Sequence, residues 1–519
     1  MLKFEEISPS DFFYRNKEIA GFENPTKTCY TIVRELVENS LDSCEARRIL
    51  PEINIYVKNM EEMGEEKEEQ KINIRVEDNG IGIPSDKAPF AFGKILYGSK
   101  FVLKQHRGIF GLGGKMAVLY GQITTNMPFK VITATMDTKY IHYYEMFIDI
   151  VKNQPKIVRY EKILNKEMWH GLIIDFNFMG NYKGAKKKII EYLFQTAIIV
   201  PYMQLLYVDF EGTSLFFERK VSSMPPEAKE ILLHPKGVDL EMFKRLIKLD
   251  SHLPVSKFLC KRFQKIGIKT ANDILNLAGI SSNIKVGRLK DEELQKLYSV
   301  MKSYPFKRPD AKALSPIGEY MKIGIDAMFK PEFISFDQRE PSSYEGHPFI
   351  VETAVAYGGR IPIPQNNEIN LYRFANKIPL IYDSYNDVSM KVIKDINWNA
   401  YKINIYQEPI AFFVHICSTK IPYKTLGKEY IANQPEIYKE IELSIRRNAR
   451  NLSAYLNKKK FMEYQKVRKR YLSEYIEKIS IFAGKLAEID DNIIKNYIEN
   501  FKKKLSQEEL EFASIQVER

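Results

Sequence analysis

Three short stretches carry residues whose types and spacing could do chemistry. The first, TIVRELVENSLDSCEA, follows Asn24-Pro25. At about 100° per residue, Glu35, Asn39 and Asp42 fall within an arc of about 60°, a narrow carboxylate and amide front on a helix. Val33, Val37, Leu41 and Cys44 fall within about 80° on the opposite side, an apolar back; alone, this is also the pattern of an ordinary surface helix. The second stretch is Asp78-Asn79-Gly80-Ile81-Gly82-Ile83, where Asp78 can accept a hydrogen bond from an exocyclic amine and glycines let the backbone turn closely about a ligand. The third runs from Arg107 to Lys115, RGIFGLGGK, four glycines opening onto an expected helix at Met116 to Tyr120 whose first amides would attract phosphate. It is not a Walker A loop, because Ile109 stands where the first Gly belongs and Met116 follows the Lys where Ser or Thr should be. Neither cluster completes G-x-G-x-x-G, since Ser85 and Met116 replace the third glycine.

The elements that must position these residues read as a mixed α/β sandwich from about Lys3 to Arg219. Lys71 to Glu77 alternates, with Ile72, Ile74 and Val76 on one face of a strand that runs straight into Asp78. Glu52 to Lys58 and Phe129 to Met136 are further strands, and the charge run Glu61 to Lys71 is a solvated loop. Ser222 to Pro226 marks a boundary. Beyond it lies a small helical module, in which Phe263 to Ile280 reads as helix, glycine turn, helix, with another helix at Lys290 to Lys302. A second α/β domain begins near Phe306, with strands at Phe349 to Ala356 and Ile410 to Cys417. Residues 436 to 483 contain no Gly or Pro, and a helix of that length would span roughly 70 Å. Within it, residues 446 to 470 carry ten Lys or Arg against one acid, Glu463, distributed around the helix rather than along one stripe. The expected domains are 1–225, 226–306, 307–478 and a helical tail, 479–519.

A chain of 519 residues with 45% hydrophobic residues exceeds one core and is not disordered, and its net charge of +12 favours a polyanionic partner. Cys29, Cys44, Cys260 and Cys417 are too far apart for a zinc motif, and no apolar stretch approaches a membrane span. The expectation is a cytoplasmic protein without disulfides.

The order of acid/amide helix, Asp-x-Gly-x-Gly, Ser99-Lys100 and glycine-rich loop resembles the GHKL ATPases, with their Bergerat α/β sandwich. Phe12-Phe13, Ala20-Gly21-Phe22, Arg34 to Asp42, Phe92-Gly93 and Arg107 to Gly113 look more narrowly like the B subunits of archaeal type IIB DNA topoisomerases. So do Gly346-His347-Pro348-Phe349, Ala375 to Leu380 and Ser418-Thr419-Lys420, and the likeness extends to about residue 475. The resemblance implies a GHKL ATPase domain, a helix-two-turn-helix module and a transducer domain ending in a long helix. It makes Glu35 the general base, Asn39 the Mg²⁺ ligand and Asp78 the reader of the adenine amine. Gly80, Gly82, Ser99 and Lys100 would line the ATP site, and Gly108, Ile109, Phe110, Gly111, Leu112, Gly113, Gly114 and Lys115 would form its lid. Lys428, with Lys424 as the alternative, would be the switch lysine that reaches the γ-phosphate. Trp398 and Tyr401 resemble a DNA-touching motif in which Asn399 replaces Lys, and Lys458, Lys459 and Lys460 are further candidates for DNA contact. His170-Gly171-Leu172 departs from the usual Gly-Thr of the adenine pocket.

The implied activity is ATP-driven dimerisation around double-stranded DNA, with cleavage by a separate A subunit that carries the catalytic tyrosine and an acidic metal site in a heterotetramer of two A and two B. A MutL-type repair ATPase is the alternative, opposed by the insert at 226–306. A nucleotide-binding scaffold without turnover is a third reading, opposed by the Glu35/Asn39 pair. A histidine kinase is rejected, because only 34 residues precede Glu35.

Overall fold

The computed structural model describes residues 7–22, 24–60, 68–98, 103–108, 111–424, 427–490 and 492–501. These fall into two compact units, 1–449 and 450–519. In the first, Ser8 caps α1 (Pro9–Arg15) by accepting the N–H of Asp11. Asn24 caps α2 (Pro25–Glu45) through the N–H of Lys27, and Pro25 supplies the fixed φ of a first helical turn. There follow β1 (Glu52–Asn59), β2 (Gln70–Asp78), α3 (Ala88–Gly93), α4 (Gly113–Thr125), β3 (Phe129–Ala134), β4 (Tyr140–Asp149), β5 (Gln154–Leu164), β6 (Gly171–Gly180), α5 (Tyr182–Ile199), β7 (Gln204–Val208) and β8 (Ser214–Phe217).

The eight strands form one sheet in the order β5-β4-β3-β6-β2-β1-β7-β8. Ile72, Ile74 and Val76 of β2 enter the same core as Val33, Val37 and Leu41 of α2, so period-two and helical patterns meet there. The strand expected to reach Met136 stops at Ala134, where the N–H of Thr135 donates to the Thr138 hydroxyl and turns the chain.

Four helices make the insert: α6 (Leu240–Leu249), α7 (Val255–Arg262), α8 (Ile268–Ala278) and α9 (Asp291–Ser303). Phe243, Phe258, Phe263 and Leu297 lie in a core of their own. Of the two helices expected within Phe263 to Ile280, only the second forms, as α8 from Ile268. Phe263 is extended, Lys265 is left-handed (φ 61°) and Gly267 is the extended N-cap, so residues 263–267 are the turn after α7.

The second sheet follows α10 (Tyr320–Phe329). It contains β9 (Phe333–Gln338), β10 (Ser342–Tyr344), β11 (His347–Tyr357), β12 (Asn370–Ala375) and β13 (Ile378–Pro379); then come α11 (Val388–Asp395), β14 (Ile410–Ser418) and α12 (Pro435–Leu486). The order is β10-β11-β14-β12-β13, with β9 also paired to β11, and β12 runs parallel to β14. β11 is buried on both faces. Thr353 faces the start of α12, bonding Ser444 and Asn448, while Ala354 and Ala356 enter the core that holds Met321, Ile325 and Phe329 of α10 and Leu193 of α5. That shared core fixes the second sheet against the helices of the first. Within it α10 passes close to α5 at Gly324, where a Cβ would meet the Ile198 carbonyl at 1.8 Å.

In the second unit α12 continues to Leu486 and residues 492–501 are helical; the expected boundary at 478/479 falls inside α12. Among the described residues no helix is long and apolar enough to cross a membrane.

Candidate nucleotide site

The polar front of α2 is covered by side chains that arrive from far along the chain. Near its middle, Lys428 Nζ donates to Glu38 Oε2 at 2.8 Å and lies 3.8 Å from Glu35 Oε1. Arg34 donates to Glu35 Oε1 at 2.7 Å and to the carbonyl of Gly427 at 2.9 Å, which holds the loop that carries Lys428. Burial pushes the Glu38 carboxyl up, against the pull of Lys428. Burial works to lower the Lys428 ammonium, but Glu35 and Glu38 outweigh it and raise it. Lys424 is exposed, so Lys428 is the lysine brought to the helix.

Near the C-terminal end of α2, Arg107 donates to Asp42 at 3.0 Å and to Glu45 Oε1 at 2.6 Å. Glu45 also accepts from the Tyr202 hydroxyl at 2.5 Å and from Lys377 Nζ at 3.2 Å. Burial alone would raise its carboxyl, but Arg107 and Lys377 pull it down to about 2.

Beside this second cluster opens a cavity of about 350 Å³, lined by Glu45 and Arg107 and also by Asn39, Gly82, Gly114 and Leu172. Asp78 lies at the end of β2, 4% exposed, and accepts the N–H of Gly80 at 2.9 Å. Burial pushes its carboxyl up to about 6, although the Gly80 N–H, the Ser40 hydroxyl and the Leu172 backbone act to lower it. Gly82 is left-handed (φ 65°), and a Cβ there would strike the Ala134 carbonyl at 2.1 Å. The His170 ring bonds the Gly80 carbonyl at 2.9 Å and thereby fixes the turn.

The glycine-rich segment meets α2 directly. A Cβ on Gly113 would fall 1.6 Å from Glu35 Oε2, and one on Gly114 would fall 2.8 Å from Asn39 Nδ2. A side chain at either glycine would push the carboxylate or the amide from its present position. Leu112 precedes α4 without a side-chain cap, so the first amides of the helix are not met by a capping side chain. Lys115 Nζ donates to the carbonyl of Tyr97. Gly108 and Gly111 are described, whereas Ile109, Phe110, Ser99 and Lys100 lie outside the described residues.

Glu35, Asn39, Asp78, Gly80, Gly82, Gly111, Gly113, Gly114, Lys115 and Lys428 are thus drawn together. Trp398 is 8% exposed, donates its indole N–H to the Ile393 carbonyl at 2.8 Å and packs on Phe412. Its ring belongs to the interior of the second sheet domain, with Tyr401 half-buried and Asn399 exposed on the same turn. Lys458 and Lys460 are exposed and Lys459 half-buried on α12 in the second unit. Sequence reasoning gave no role to Glu45, Arg107 or Lys377. Arg107 and Lys377 sit inside stretches that carried the family resemblance, which was their only signal.

The acid/amide helix, the buried Asp78 and the glycine cradle lie within the first of two stretches that match family models. Residues 25–130 match "Histidine kinase-, DNA gyrase B-, and HSP90-like ATPase" and residues 309–468 match "Topoisomerase VI B subunit, transducer". The chain is 44% identical over 92% of its length to the B subunit of the type 2 DNA topoisomerase 6 of Sulfurisphaera tokodaii, covering 89% of that protein. It is 42% identical over 96% of its length to the B subunit of the Pyrobaculum aerophilum enzyme of the same name, covering 93% of it. The ATPase region of Saccharomyces cerevisiae topoisomerase II overlaps at a TM-score of 0.41 and 11% identity, over 87% of this chain and 98% of that one. The chain belongs to the family of type 2 DNA topoisomerase 6 B subunits.

Proposed function

We propose that this chain is the ATP-binding and ATP-hydrolysing subunit of a type IIB DNA topoisomerase, which uses nucleotide-driven dimerisation to gate double-stranded DNA while a separate A subunit, with its tyrosine and acidic metal site, cuts it. The observation that carries the reading is the reach of Lys428, 390 residues beyond Glu38, to the carboxylates of the nucleotide helix. A cation on one domain that lies against the catalytic face of another makes nucleotide chemistry and domain position one event.

Within the site, Glu35 is proposed as the general base that takes a proton from the attacking water, held in place by the Arg34 guanidinium. Asp78 accepts from the adenine amine, and Gly82 lets the backbone approach the base. The α4 amides with Gly108, Gly111, Gly113, Gly114 and Lys115 are proposed to hold the phosphates, and the family resemblance adds Ser99, Lys100, Ile109 and Phe110 to that role. An amide beside a phosphate cradle suits a hard cation that keeps most of its ligands from phosphate and water, so Asn39 is the residue that would hold Mg²⁺. When bound, Mg²⁺ offsets charge on the phosphate oxygens. Lys428 reaches the γ-phosphate and transfers its presence to the transducer. The Leu172 departure leaves the pocket hydroxyl-poor at one position, while the buried Thr133 hydroxyl bonds Ile83 N–H at 2.8 Å nearby.

The assembly is proposed as two A and two B chains in the cytoplasm, with Tyr401 and Lys458 to Lys460 contributing to DNA contact and Trp398 supporting the Tyr401 turn from within. Kinship along nearly the whole chain, insert included, sets the MutL-type alternative aside. The test is reconstitution with the cognate A subunit on supercoiled DNA. ATP-dependent relaxation that disappears with Glu35→Ala supports the reading; relaxation without ATP, or none with wild type, counts against it.

A further inference from the structure

The β12–β13 hairpin turns through two residues, Asn376 (φ 48°) and Lys377 (φ 66°). Two successive left-handed residues make the turn that favours Asn followed by Gly, and a lysine in the Gly position carries a backbone strain that glycine would relieve. Its side chain points inward, 6% exposed, to Glu45 of α2 at 3.2 Å. The other oxygen of Glu45 accepts from Arg107, the residue just before Gly108. Asn376 makes a second tie to the same place, donating to the carbonyl of His106 at 3.1 Å while its amide oxygen accepts the N–H of Ser418. Gln105 is bound in turn, exchanging two hydrogen bonds with the backbone of Ser315. Gln105 and His106, at the root of the glycine-rich lid, are therefore gripped directly by the second sheet domain, and Arg107 is linked to it through Glu45. Behind the turn, the N–H of Lys377 donates to His415, whose other ring nitrogen lies 2.7 Å from Glu352, and Glu352 accepts the N–H groups of Ile317 and Gly318.

We infer that Lys377 is a second coupling lysine: a positioning residue that ties the root of the nucleotide lid to the transducer through Glu45 and Arg107, separately from Lys428. Lid closure over a triphosphate shifts Arg107 and, through the shared Glu45 carboxylate, the β12–β13 hairpin and the strands behind it. The inference rests on the proposed ATP-gated reading and adds a route by which lid position, rather than the γ-phosphate itself, reaches the transducer.

The test compares full-length wild type, Lys377→Met and Lys377→Arg for dimer formation on a non-hydrolysable ATP analogue and for affinity toward the same analogue. In Lys377→Met, Glu45 keeps Arg107 and Tyr202, so the pocket retains a paired carboxylate. Closure should fall by about tenfold more than nucleotide affinity does, the range of an ordinary coupling energy, and Lys377→Arg should restore part of it. If closure and affinity fall together, or if Lys377→Met closes like wild type, Lys377 is structural and the inference is wrong. Glu45→Gln distinguishes loss of folding from loss of coupling when it is assayed well below its own, lowered thermal midpoint: coupling lost in the folded variant supports the tie, and coupling retained overturns it. Wild type that never dimerises on the analogue would strike the reading of the whole site, a result separate from failure of this variant alone.

Discussion

Two clusters of charge sit on one helix and are built to opposite ends. Toward the middle of α2, Glu35 and Glu38 share Arg34 and Lys428, Glu38 Oε1 lacks a hydrogen-bond donor, and the Glu38 carboxyl is pushed up by burial. Toward the C-terminal end, both oxygens of Glu45 are hydrogen-bonded by Arg107, Tyr202 and Lys377, and its carboxyl is held near 2. Glu45 is more exposed than Glu38, 20% against 2%, and has donors on both oxygens where Glu38 has them on one. A buried carboxylate with one oxygen left without a hydrogen bond, as at Glu38, can change partner when a triphosphate arrives, whereas a saturated carboxylate is a brace that moves only as a unit. The chemistry belongs at the first cluster and the mechanical tie at the second.

The largest effect should come from the reactive cluster. Glu35→Ala should lower ATP turnover by roughly 10²- to 10⁴-fold while leaving nucleotide affinity nearly intact, as measured by steady-state hydrolysis and by titration with a fluorescent analogue. Equal loss in both would place Glu35 in binding rather than in proton transfer.

The brace should show itself in stability instead. A carboxyl lowered from its ordinary value to about 2 contributes roughly 3 kcal/mol when ionised in the folded chain. Because the folded value is the lower one, that contribution is complete above the unfolded value and is lost as pH falls toward 2. The thermal midpoint of Glu45→Gln should therefore lie below that of wild type at neutral pH, and the gap should close in acid. A gap that is constant with pH would mean that Glu45 stabilises by packing alone.

The smallest effect concerns the buried carboxyl at the end of β2. Asp78, raised to about 6, must be ionised to accept best from an amine, so nucleotide affinity should rise several-fold as pH increases through 6 and then level off. Asp78→Asn should remove the dependence. For stability the sign is reversed: a raised carboxyl favours folding below its unfolded value and loses that contribution as pH rises through 6.

The sequence made one of the two clusters easy to find. Glu35, Asn39 and the glycines at 113 and 114 are close in sequence and follow helical and loop patterns, so periodicity and order exposed them. The strands flanking Asp78 were equally legible, because alternation of Ile72, Ile74 and Val76 fixes a face. Glu45, Arg107 and Lys377 were not, because their association depends on the packing of elements separated by 62 and 332 residues. The same limit explains Trp398, whose aromatic motif is visible in sequence but whose burial under β14 depends on the second sheet. The turn at residues 263–267 was missed because a left-handed Lys265, followed by an extended Gly267, has no strong sequence signature.

The claim that nucleotide is read by the transducer through Lys428 is tested most directly by sedimentation of wild type and Lys428→Ala with a non-hydrolysable ATP analogue. Wild type should shift from monomer to dimer, and Lys428→Ala should bind the analogue yet remain largely monomeric, while Lys424→Ala, exposed at its position, should dimerise normally. Dimerisation of Lys428→Ala at the wild-type analogue concentration would contradict the account.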